Sequence, residues 1–180
     1  MRFFGRSRGK SEADKFAVEM GWRYVAYREG AEVVALQIEP MVQGPDVVYV
    51  PDDVSWIKAA PRWARDRRSE ILERLRSASW NRRVEWRPVA TSFVELGAIA
   101  GSLESTPGGQ QLEQARLFHP GAPLTAEQAR IVWHEAVRSF VAQVQGKVTV
   151  IASELIPDSV FASIELPALK ANPNVQLDLR

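Results

Sequence analysis

The chain has 180 residues, 46% of them hydrophobic and 25% charged, which places it among ordinary globular proteins with enough apolar content for a substantial core. A formal net charge of +1 excludes a global field that would drive binding to nucleic acid or to an anionic membrane, so any charged partner must be met locally. With no cysteine, the chain lacks disulfides, thiol catalysis and zinc-thiolate sites, and it fits a reducing compartment.

The opening run MRFFGRSRGKSEADK is basic but lacks the apolar stretch of a secretory signal. No later segment approaches the roughly 18 uninterrupted apolar residues of a membrane-spanning helix. The expectation is a soluble protein with no membrane partner, cytoplasmic or exported as an effector by a signal-free route.

In chain order, Ser11 and Asp14 predict a helix start leading into EADKFAVEM, stopped by Gly21. Two β-rich runs follow in WRYVAYREGAEVVALQIEP around the turn REGAE, and DVVYV supplies a third after QGPD, which together predict a three-stranded antiparallel meander. Pro61 then opens a helix through PRWARDRRSEILERLRSA, where Trp63, Ile71, Leu72 and Leu75 recur at helical spacing and need the sheet to cover them. From residue 88 to 124, Gly and Pro interrupt weak periodicity, and STPGGQQLE reads as a Pro-Gly turn. It lacks the lysine of a P-loop and the glycine spacing of a dinucleotide fingerprint.

The segment TAEQARIVWHEAVRSFVAQVQG predicts a long helix: Thr125 and Gln128 form a capping box, an apolar side runs from Ala129 through Trp133, Val137 and Phe140 to Val144, and Gly146 ends it. KVTVIA, DSVFASIELPALKAN and VQLDL then read as strand, helix and strand, a parallel pair joined by a crossover. The predicted fold class is thus α/β (α+β overall). A boundary near residue 78 divides it into residues 1–77, a meander plus helix of unknown role, and residues 78–180, built on the βαβ unit.

Several residues invite a chemical reading. His119 and His134 are the only histidines and have no partner at metal-ligand spacing, so no metal is expected, and His134 reads as a surface imidazole. Between Lys58 and Arg87, arginines alternate with Trp56, Trp63, Trp80 and Trp86, the composition of a nucleic-acid surface; a solvated amphipathic helix with core-facing tryptophans accounts for it better. Glu104, in GSLEST, and Glu165, in SVFASIELP, are acids set among small or apolar residues, where an unpaired carboxylate is costly.

Three segments resemble the ADP-ribosyl cyclase/NAD glycohydrolase family. SLESTPGG is similar to its Leu-Glu-Asp-Thr signature and contains Leu103 and Glu104; VWHEAVRSFVAQVQGKVTVIAS is similar to its Trp-containing helix and following strand; DSVFASIELPAL is similar to its Ser-x-Phe-x-x-x-Glu segment. SWNRR, before Glu104, is a fourth and weaker match. The resemblance implies a cyclase-like lobe over residues 78–180, with NAD or a related dinucleotide as substrate and no cofactor. It implies Glu165 as the catalytic carboxylate and Glu104 as the acid beside the nicotinamide. Trp133 and Trp80 become aromatic walls, Arg82 a phosphate ligand, and Phe161 and Leu103 substrate-binding residues. Ser105, Val137 and Val160 depart from the family's usual Asp, Ser and small polar residue, and the family's cysteines are absent.

The chemistry implied is NAD glycohydrolysis, easier to support here than cyclisation. Cleavage of the nicotinamide-ribose bond passes through an oxocarbenium-like state that a nearby carboxylate stabilises, and nicotinamide leaves as a neutral molecule without needing an acid. The competing expectation is a noncatalytic protein-binding molecule of the toxin-immunity kind, because VPDDVSWIKAAPRWARDRRSEILERL loosely resembles proteins of such loci and the first 77 residues could hold a protein partner.

Overall fold

The computed structural model describes residues 16–78, 80–90, 103–150 and 156–179. It is a mixed α/β structure. A five-stranded, mostly antiparallel sheet comprises β1 (Ala17–Met20), β2 (Tyr24–Glu29), β3 (Glu32–Glu39), β4 (Asp46–Pro51) and β5 (Val84–Val89), in that spatial order. The sequence alternation of β2 and β3 closes into a hairpin through Gly30, whose φ of 59° is the left-handed conformation a side chain would disfavour. β4 joins antiparallel to β3, and β5 adds parallel to β4 with Val48 opposite Trp86.

The segment ending at Met20 corrects one expectation. Residues 17–20 form an edge strand, not a helix, with Ala17 opposite Arg28 and Met20 opposite Val25. Pairing with β2 buries Met20, and Val18 packs on the core, so period-two burial outweighs the weak helical pattern. The helix start at Ser11 and Asp14 lies outside the described residues.

The β4–β5 crossover carries α1 (Asp53–Ala59), a 3-10 stretch (Arg62–Arg67) and α2 (Arg68–Ser77). Asp52 caps α1 by accepting the Ser55 N–H at 2.7 Å. The sequence pattern hides α1, because Trp56 is buried while its neighbours Val54 and Ile57 are exposed. Ile71, Leu72 and Leu75 of α2 enter the core as their spacing predicts. The division at residue 78 falls just before β5, which belongs to the first sheet.

The rest of the chain comprises a 3-10 turn (Leu103–Ser105), α3 (Pro107–Gln114), α4 (Ala126–Gln143), β6 (Gly146–Val150), a π-helical turn (Phe161–Glu165), α5 (Leu166–Ala171) and β7 (Val175–Leu179). STPGGQQLE is a helix start, not merely a turn: the Thr106 hydroxyl accepts the Gly109 N–H at 3.1 Å and Pro107 occupies the first turn, where its missing N–H costs nothing. The Thr125/Gln128 capping box of α4 is formed in both directions, at 3.2 and 2.9 Å. β6 and β7 pair in parallel, Gly146 opposite Val175 and Val150 opposite Leu179.

One hydrophobic core runs through these elements. Trp22, Leu36, Ile38, Trp56 and Ile71 are continuous with Trp133, Val137, Val160 and Ile164. Its centre is a stack in which Trp22 lies on Trp133 at 5.2 Å and 2° and on Phe118 at 5.7 Å. Such aromatic pairs add about 0.5–1.5 kcal/mol each beyond the burial of their area. Among the described residues no helix is long and apolar enough to cross a membrane.

Candidate functional site: an acid cluster on Arg23

The loop Gly21–Trp22–Arg23 links β1 to β2 and is pinned on every side. Gly21 N–H donates to Tyr24 O at 2.9 Å, Trp22 N–H donates to Glu113 Oε1 at 2.9 Å, and Ile38 N–H donates to Arg23 O at 2.8 Å. Arg82 Nη1 donates to the carbonyls of Gly21 and Trp22, both at 3.1 Å. With its backbone held this way, Arg23 presents its guanidinium to carboxylates from distant parts of the chain.

Glu104 comes from the 3-10 turn that precedes α3. Thr106 ties that turn to the helix, donating its hydroxyl to Leu103 O at 2.6 Å while capping Gly109. The packing is close enough that a Cβ on Gly109 would lie 2.0 Å from Leu103 O. Glu165 comes from the π-helical turn, where Leu166 N–H bonds back to Phe161 O. Pro167 follows at the start of α5 and cannot donate into a tighter ladder, which favours the wide turn. The preceding segment is held to the end of β3: Val160 N–H donates to Pro40 O and Val42 N–H to Asp158 O, both at 2.8 Å.

The outcome is that Glu104 and Glu165 meet on one guanidinium. Arg23 Nε lies 3.1 Å from Glu104 Oε1, and Arg23 Nη2 hydrogen-bonds Glu165 Oε1; the three side chains are 21%, 18% and 16% exposed. Glu39, at the end of β3, adds a third carboxylate to this field. Burial holds the Glu165 carboxyl above its usual range against the pull of Arg23, with Glu104 adding to the rise. Burial likewise raises Glu39, opposed by Arg23. Burial works to lower the Arg23 guanidinium, but Glu165, Glu104 and Glu39 together more than offset it and hold it above the ordinary value. Nearby, burial pushes Glu113 up to about 7, against the Trp22 N–H it accepts. Two carboxylates on one guanidinium, with a third in its field, make a poorly solvated place rich in acids, a setting that favours a cationic group or a cationic transition state.

The other residues singled out in the sequence stand elsewhere or at the margin. Leu103 and Phe161, each half-buried, flank Glu104 and Glu165 in their respective turns. Trp133 is only 1% exposed and stacked on Trp22, so its indole belongs to the core. Arg82 is buried too: its Nε donates to Asp46 Oδ2 at 2.7 Å, its Nη2 pairs with the same oxygen, and its guanidinium lies over Phe118 at 4.3 Å. Neither side chain is placed to receive an outside ligand at the acid cluster. Trp80 is half-buried, donates Nε1–H to Leu75 O at 3.2 Å, and lines a separate cleft together with Arg82.

His134 corrects the expectation of a surface imidazole. It is 9% exposed and sits edge-on to Trp22 at 6.0 Å, because α4 buries Trp133 and its neighbour together under the β1–β2 loop. Burial, with Arg130 and Arg138 adding to it, lowers its pKa. The arginines of the crossover are largely occupied: Arg67 bridges Glu29 at 2.7 Å and Glu70 at 2.8 Å, and Arg74 pairs with Glu70 at 2.8 Å.

Arg23, Glu39 and Glu113 are the participants that sequence reasoning missed. Arg23 carried one faint signal, a lone charge inside the apolar run GWRYVAY. No family model, no curated protein and no solved structure matches this chain.

Proposed function

We propose that the protein is an NAD glycohydrolase whose working centre is the Glu104–Arg23–Glu165 cluster. In this reading the segment around the parallel β6–β7 pair is a cyclase-like lobe. The observation that supports it is the meeting of Glu104 and Glu165 on Arg23, two acids from distant segments that the resemblance assigns to one site.

The reaction is NAD plus water giving ADP-ribose, nicotinamide and a proton. As the bond between the nicotinamide ring nitrogen and ribose C1′ breaks, its electron pair leaves with nicotinamide, which departs neutral. Positive charge develops on the ribose, and Glu165, within hydrogen-bond reach of the ribose hydroxyls once substrate is bound, stabilises it. Water then adds to C1′ and loses its proton. Glu104 holds the carboxamide, and Phe161, beside Glu165 in the π turn, takes the part of an aromatic wall, since Trp133 is committed to the core. For this to happen Arg23 must release part of its hold on Glu165, and the bound cation replaces its charge. Substrate binding therefore competes with an internal ion pair.

The second reading is a noncatalytic protein-binding molecule, in which the acid cluster is a structural clasp between the sheet and the later turns. The burial of Trp133 and the enclosure of Arg82 favour it. In that reading the meander and its helices, within residues 1–77, hold the partner. Incubating the purified chain with NAD and separating the products distinguishes the two. Nicotinamide and ADP-ribose appearing together support hydrolysis, and intact NAD after prolonged incubation with well-folded protein supports the clasp.

A further inference from the structure

A cleft of about 620 Å³ opens where the start of α4 faces the chain entering β5, lined by Gln43, Trp80, Asn81, Arg83, Arg130 and His134 among others. Its lining includes Trp80 and Arg82, which the resemblance assigns to the dinucleotide, but neither Glu104 nor Glu165, so it stands apart from the acid cluster and does not rest on the glycohydrolase reading. We infer that this cleft binds a phosphate-bearing small molecule.

Asp46 is fully buried and is shared by two guanidiniums, Arg82 at close range and Arg130 at 3.3 Å, so one carboxylate serves two cations. Arg83 is exposed at the cleft and forms no ion pair among the described residues. Asp46 lies behind the lining; the acid in the lining itself, Glu127, is exposed to water and screened. The lining is therefore net positive.

The cleft also holds unspent hydrogen-bonding capacity. His134 is nine-tenths buried at this cleft, and its Nε2 has no hydrogen-bond partner among the described residues; Arg130 Nε is likewise buried and unpartnered. Buried polar atoms left unmatched are costly; an oxyanion would satisfy the Arg130 Nε–H, and His134 Nε2 in the tautomer that carries its proton there. Burial, with Arg130 and Arg138 adding to it, lowers the His134 pKa and so favours the neutral ring, which has a single N–H. The opening turn of α4, an 18-residue helix, also lines the cleft and contributes the positive end of its dipole. Donors arriving from the β5 approach and from α4 suit the several oxygens of a phosphate, and arginine pairs with such groups through two parallel bonds.

The volume exceeds what a bare phosphate fills and falls within the roughly 300–1,000 Å³ of small-molecule sites. A second hollow of about 370 Å³ shares Trp80 and Asn81 with it, giving an organic group room beside the phosphate.

Titration calorimetry of the full chain at low ionic strength, with inorganic pyrophosphate, AMP and adenosine as probes, tests the inference. The expectation is saturable binding of pyrophosphate or AMP and none of adenosine; a preference for AMP identifies an esterified ligand, and equal binding identifies the phosphate alone. Arg83→Gln and Arg130→Gln should each weaken binding by about tenfold, the loss expected for one charged hydrogen bond. Arg83 is exposed, and Asp46 keeps Arg82 when Arg130 is neutralised, so both variants should retain the wild-type circular dichroism spectrum. Absence of saturable binding by either phosphate probe, equal binding of adenosine, or a loss below about threefold in either variant overturns the site.

Discussion

Arg23 and Glu165 lie 142 positions apart in sequence and are joined by a side-chain hydrogen bond. That bond closes the β1–β2 loop onto the π turn, and Glu104 arrives at the same guanidinium from a third segment. Arg23 is the hub, so its removal should expose what the cluster costs. Arg23→Gln leaves Glu39, Glu104 and Glu165 uncompensated and should destabilise the protein at neutral pH by about 3 kcal/mol, the scale for breaking a largely buried pair. Glu165 and Glu39 already titrate above their ordinary values, so they favour the fold when protonated and oppose it as pH rises through their folded pKa. The penalty in Arg23→Gln should therefore shrink as pH falls into the carboxyl range. Urea unfolding of both proteins across pH checks this; a penalty that does not change with pH contradicts it.

Gly109 sets the position of Glu104. A methyl group there would meet the Leu103 carbonyl at 2.0 Å, and that backbone cannot yield without shifting the Leu103–Ser105 turn. Gly109→Ala should cost about 1–3 kcal/mol, the range for overpacking. Gly108 is the control: its added methyl meets nothing within 4 Å, so Gly108→Ala should stabilise α3 by several tenths of a kcal/mol. Thermal melts of the two variants should shift in opposite directions.

Glu113 accepts the Trp22 N–H and is held by burial near pH 7. Its folded pKa lies above its unfolded value, so its contribution to stability is complete below the ordinary carboxyl range and disappears as pH rises through about 7. Glu113→Gln keeps an acceptor for Trp22 and removes the titration. Relative to wild type it should gain stability between pH 5 and pH 8, by on the order of 2–3 kcal/mol at most, one pKa unit corresponding to ~1.4 kcal/mol. A constant difference across that range contradicts the burial argument.

Glu29 behaves in the opposite sense. Arg67 and then Tyr27 hydrogen-bond to it and lower its carboxyl to about 2, linking the end of β2 to the 3-10 stretch before α2. The stabilisation is present above its unfolded pKa and is lost as pH falls through about 2. Because the side chain is 28% exposed, solvent screens much of it, and Glu29→Gln should cost only about 1 kcal/mol at pH 7. Acid titration of the unfolding midpoint should bring variant and wild type together near the bottom of that range.

How far the sequence foretold this structure depends on how local each signal is. The Gly30 hairpin, the Thr125/Gln128 cap and the β6–β7 pair were legible because each rests on turn chemistry or short-range periodicity. β1 was not, since an edge strand of four residues carries little pattern and gains its stability from pairing with β2. β5 was hidden by Pro88 and its charges, and its partner β4 lies across a crossover of three helical segments. The pairing of Glu104 with Glu165 was suggested only by resemblance; periodicity gave no reason to join them, and Arg23, which joins them, looked like a strand residue. Trp133 shows the converse. Its place on the apolar side of α4 already implied burial, and the stack with Trp22 accounts for it without a ligand.

The central claim, that Glu165 is the carboxylate that stabilises the ribosyl cation, is tested most directly by the rate of nicotinamide release from NAD by wild type and Glu165→Gln, measured on samples with matching circular dichroism and melting behaviour. The substitution preserves shape and leaves Arg23 paired with Glu104, so the fold should survive. The account predicts measurable release by wild type and a fall of at least about a hundredfold in the variant. Equal rates, or no release by folded wild-type protein, contradict it.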